Sequence, residues 1–83
     1  MSNPKEVKLE LNNHEEYKRI LLQNLSKGVY STIEQKTAAK IIECLETNIR
    51  VLQNKNSNKE HIDGIVSGSI LLYILIKRSG LLK

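Results

Sequence analysis

Phenylalanine and tryptophan are absent, and three tyrosines are the only aromatic side chains. Without stacking platforms the aromatic-sheet route to single-stranded nucleic acid is closed, and any core must be built from interlocking Ile, Leu and Val. The single cysteine, Cys44, cannot close an internal disulfide and has no CxxC partner. That points to a reducing compartment and to a small residue in or beside the core rather than a nucleophile. The opening Met1-Ser2-Asn3-Pro4 is polar where a secretory signal would be apolar, so the expected location is cytoplasmic. The sequence also lacks a phosphate loop, a metal-ligand cluster and any nucleophile with base spacing. No cofactor, no metal and no enzymatic activity are therefore expected.

What is present is one domain's worth of chain: 83 residues, 40% hydrophobic. The formal charge of +4 is compatible with an anionic partner but does not demand one. Residues 54–83 hold five basic and two acidic side chains, and the rest of the chain is nearly balanced. The surplus sits at helix ends and in a linker, where cations complement the helix dipole. Asn- and Lys-rich composition suits an AT-rich bacterial, phage or plasmid genome.

Lys5 to Leu11 alternates charged and apolar residues. At a period of two this predicts a half-buried strand with Val7, Leu9 and Leu11 on one face. Asn13 with Glu16 has the spacing of a helix cap, and an apolar stripe of Tyr17, Ile20, Leu21 and Leu25 predicts a first helix over about 14–27, ended by Gly28. Ser31 with Glu34 caps a second helix over about 32–53, with Ile33, Thr37, Ala38, Ile41, Ile42, Leu45, Ile49 and Leu52 inward. Glu46 and Arg50 are spaced for a helical ion pair. A polar break covers 54–59, and Ser57 with Glu60 opens a third helix over about 58–78, with Gly80 just beyond its end. The expected architecture is mostly α, three helices preceded by one short N-terminal β-strand, self-associating.

The third helix is the unusual element. From Ile65 to Ile76 no residue is charged, and Ile70 to Ile76 is apolar on every side. A buried strand is the alternative for that stretch. The apolar run is too short between Asp63 and Lys77 to span a bilayer, which needs about 20 residues, so membrane insertion is disfavoured despite the small-xxx-small pattern at Gly64 and Gly68. A chain this short has too few elements to wrap such a helix, and a lone strand has no partner, so both features call for a second copy. Val7, Leu9, Leu11, Ile65, Gly68, Leu72 and Ile76 are the candidate contacts. Glu60, His61 and Asp63 cluster at the start of this helix, where acids serve its dipole without any metal. Tyr17 and Tyr73 are expected at the rim of the core with their hydroxyls in water.

The order alternating strand, helix, glycine turn and capped helix over residues 5–46 resembles the ribbon-helix-helix family of dimeric DNA-binding regulators. The resemblance implies strands paired across a two-fold axis, Glu6, Lys8 and Glu10 in the major groove, and Ser31 on a phosphate; the third helix is an addition to that pattern. The first functional expectation is a small regulatory or inhibitory protein that binds itself and a further, unknown protein partner. The second is a regulator bound to duplex DNA.

Overall fold

The computed structural model describes Ser2–Lys83, and among those residues every regular element is a helix: α1 (Pro4–Lys27), α2 (Thr32–Gln53) and α3 (Lys59–Arg78). The body measures 39 × 20 × 17 Å, a length close to the roughly 36 Å that α1 alone would span at about 1.5 Å per residue. α1 and α2 form an antiparallel hairpin. α3 returns alongside α1 in the same direction, as contacts from Ser2 to Asp63, Glu10 to Tyr73 and Asn24 to Leu81 show.

The expected strand at 5–11 is helical, and the reason is local. Asn3 is the N-cap: its side chain accepts from the Glu6 N–H at 2.9 Å and donates to the Glu6 carboxylate, also at 2.9 Å, while Pro4 occupies the first turn, where its missing N–H costs nothing. Val7 and Leu11 are two residues of an alternating run, but they are equally an i, i+4 pair that continues through His14, Leu21 and Leu25. Leu9, which alternation places inward, is 58% exposed. Helix formation also satisfies the backbone groups that a solitary strand would leave unpaired. Asn13 is consequently no cap; it lies within α1 and donates to Glu10 at 3.2 Å.

The remaining boundaries follow the expected signals. Gly28 ends α1 in the left-handed region at φ 69°, its N–H reaching the carbonyls of Asn24 and Leu25. Ser31 and Glu34 make a full capping box, and α2 occupies 32–53 as expected. At α3 the cap is Asn58, which accepts from Glu60, while Ser57 instead donates to the Val51 carbonyl at 2.7 Å. Glu46 reaches across to Lys18 on α1 at 3.4 Å, and Arg50 donates to Thr47.

The core is aliphatic. Leu21, Ala38, Ile41, Ile42, Leu45 and Ile76 form its centre, with Tyr17, Leu25 and Leu72 packed against it. Ile33 and Thr37, which share one side of the first turns of α2, point outward; Ile33 is 78% exposed. Cys44 is exposed rather than in the core.

The C-terminal tail is part of the fold. Leu81 is buried, and its carbonyl accepts from the Tyr30 hydroxyl at 2.5 Å and from Asn24 at 3.2 Å; Lys83 pairs with Glu34 at 2.9 Å. Tyr30→Phe should cost about 1 kcal/mol, since Asn24 still serves the carbonyl when the hydroxyl is gone. Urea unfolding checks this, and a loss above about 3 kcal/mol would contradict the shared arrangement.

Candidate functional site

α3 has two faces. Turning roughly 100° per residue, Ser69, Leu72, Tyr73 and Ile76 face α1 and α2. Ser69 and Ile76 are almost fully buried, and Leu72 and Tyr73 partly so. The same turn sends Ile70, Leu71, Ile74 and Leu75 outward, where they are 65%, 72%, 40% and 56% exposed. Four large aliphatic side chains thus share two adjacent turns in solvent, a contiguous patch of the kind that marks contact surfaces. The patch has charged ends: Glu60 and Asp63 lie toward the N-terminus of α3, and Lys77 and Arg78 occupy its last turn. Asp63 accepts from the Ser2 backbone N–H at 2.8 Å, which holds its carboxyl below the ordinary value.

The residues expected to make the contact are divided by the fold. Ile76 lies inside the bundle, Leu72 packs on its core, and Ile65 is half-buried. Gly68 is exposed at the edge of a groove of about 380 Å³ between α2 and α3, which Cys44 and His61 also line. Val7 and Leu11 line a larger groove of about 660 Å³ at one end of the bundle, where Leu52 and Ile62 complete an apolar floor and Lys8, Lys55 and Lys59 the rim. Leu9 is exposed. Of the residues the family resemblance put against DNA, Glu6 braces the Asn3 cap, Glu10 receives Tyr73, Lys8 is exposed and Ser31 caps α2. Glu6 and Glu10, four apart on α1, line one groove with Asp63 and Ile70, but the four residues form no common reading face, because the ribbon that would align them is a helix.

A polar cluster inside the bundle was not foreseen. His14 is fully buried between the three helices. Its Nε2 accepts from the Asn48 amide at 3.2 Å, so Nδ1 carries the proton and donates to the Glu10 carbonyl at 2.8 Å. The Tyr73 hydroxyl lies 2.9 Å from Nδ1 and donates to the Glu10 carboxylate at 3.0 Å. Tyr17 stacks on Tyr73 with ring centroids 4.9 Å apart. Burial lowers the His14 pKa against the smaller opposing pull of Glu10, and burial raises that of Tyr73, reinforced by its bond to Glu10. The Tyr73 hydroxyl is therefore internal, not at a wet rim. The cluster has the residue types of a proton relay, but both imidazole nitrogens are engaged within the protein and none is exposed to a substrate; its evident work is to lock the three helices in register.

Among the described residues no group of three His, Cys, Asp or Glu side chains converges as metal ligands, and no helix is long and apolar enough to cross a membrane. No family model, curated protein or solved structure matches the chain.

Proposed function

We propose that this chain is a small cytoplasmic, non-enzymatic regulatory or inhibitory protein that works as a homo-oligomer and binds a macromolecular partner, with the outward face of α3 as its self-association surface. The observation that carries the reading is the solvent-facing quartet Ile70, Leu71, Ile74 and Leu75 on a helix whose other face is already core. Fully burying a Leu or Ile side chain contributes about 1.5 to 3 kcal/mol. Eight partly exposed side chains, four from each copy, bring a gain comparable with the entropy cost of bringing two proteins together, about 4 to 15 kcal/mol. The engaged, buried state of the His14 cluster supports a binding role over a catalytic one. A paired ribbon over duplex DNA would need a strand at 5–11, and those residues are helical.

Sedimentation at micromolar concentration tests the proposal. The wild type should run as a dimer and Leu71→Glu as a monomer with unchanged helical circular dichroism, because the Leu71 side chain is 72% exposed and supports little of the monomer's own packing. A wild type that stays monomeric up to the highest soluble concentration would remove the proposal.

A further inference from the structure

The outward side of α3 is asymmetric along its length. Its N-terminal half carries acids and small residues, Glu60, Asp63, Gly64 and Ser67; its C-terminal half carries the aliphatic quartet followed by Lys77 and Arg78. Among the described residues, Glu60, Lys77 and Arg78 make no ion pair within the chain, while Asp63 accepts from Ser2 and lies near the Lys59 ammonium. Each half thus lacks what the other offers, in charge and in volume.

We infer that α3 packs antiparallel against α3 of a second copy of this chain, about a two-fold axis beside Ile70 and Leu71. This rests on the self-association just proposed and adds its orientation. In that arrangement Ile70 meets Leu71 of the second copy, Ser67 receives Ile74, and Asp63 faces Arg78, each contact occurring twice by symmetry. The small residues leave room for the bulky ones, as ridges enter grooves. Opposite charges close both ends of the apolar seam. A parallel pairing would set Glu60 and Asp63 against themselves, stack Lys77 and Arg78 on their own copies, and leave the small-residue half without large side chains to fill it. The charges therefore select against that alternative as well as for the antiparallel one.

Charge exchange tests the orientation. At low salt, Asp63→Arg and Arg78→Asp should each weaken the dimer about tenfold in sedimentation equilibrium, because each puts like charges together at two symmetry-related places. The double exchange, Asp63→Arg with Arg78→Asp, should return the dissociation constant to within about threefold of wild type. The differences should shrink in high salt, where such exposed pairs are screened. If Asp63→Arg acted only by losing its contact with Ser2, the double exchange would not recover, and the orientation would be wrong. A second measurement does not depend on those charges. Spin labels at Gly64→Cys in a Cys44→Ser background should lie on the order of 20 Å apart in an antiparallel pair and about 10 Å apart in a parallel one. A dimeric wild type with unaffected single variants, or with the short label distance, overturns the orientation and leaves self-association standing. A monomeric wild type overturns the self-association itself.

Discussion

Truncating Leu45 to alanine should cost the fold about 2 to 5 kcal/mol. Leu45 is fully buried at the middle of α2, in one cluster with Leu21 of α1 and Ile76 of α3. Removing it opens a void that all three helices border. None can collapse into that void freely, because the His14 cluster and the Leu81 anchor hold their relative positions. Small domains have only about 5 to 15 kcal/mol in total, so this one side chain is a large share of the whole. Ile33→Ala is the matching control: on the same helix but 78% exposed, it should change stability by less than about 0.5 kcal/mol. Both are read by urea unfolding at a concentration where wild type and variants share one oligomeric state, since association otherwise shifts the midpoint. A loss below about 1 kcal/mol for Leu45→Ala would mean that the core does not lie where it is described.

How far these features were legible in the sequence differed from helix to helix, and the differences have physical causes. The bounds of α2 were readable because a capping box opens it, apolar residues recur at helical spacing, and a polar run closes it, although Ile33 and Thr37 in its first turns face outward rather than in. α1 was readable only in its second half. In the first half, seven residues of alternation outweighed Asn3-Pro4 and Glu6, a short cap signal whose meaning depends on the stripe continuing to His14. With a helix starting at about residue 14, His14 stands at its entrance; in α1 it sits on the inward stripe. In α3 the lack of a polar side was legible, since residues 70–76 are apolar on all sides, but which face turns toward the hairpin was not. A helix with no polar side has no phase to read, and only packing against Tyr17, Glu10 and Asn24 turns Ile76 inward and Leu71 outward. The Tyr73 hydroxyl followed the same logic. Its partner, Glu10, lies 63 residues away in sequence, beyond the reach of any local pattern.

Stability should fall as the pH drops below about 6.5, and His14 should be responsible. In the unfolded chain this imidazole takes up a proton near its ordinary value of 6.5. In the folded protein burial lowers its pKa, and protonated Nε2 would turn its N–H against the donating amide of Asn48. Below pH 6.5 the unfolded state therefore binds more protons than the folded one. Folding stability is fully present above that pH and declines, by at most about 1.4 kcal/mol per pH unit, until the lower folded pKa is reached. The carboxylates act in a separate window. Glu16, Glu34 and Asp63 have lowered folded values, held down chiefly by Arg19, by the Ser31 N–H and by the Ser2 N–H respectively. Their contributions are present above the unfolded carboxylate values and are lost only as the pH falls from about 4.5 toward the folded ones. Urea midpoints between pH 7.5 and 4.5 should thus report His14 alone among these groups. The wild type should lose stability across that range, and His14→Gln should start lower but lose much less. A flat wild type, or a slope undiminished in His14→Gln, would show that the imidazole is not held neutral between the helices, and with it would go the account of what keeps α3 in register on the hairpin.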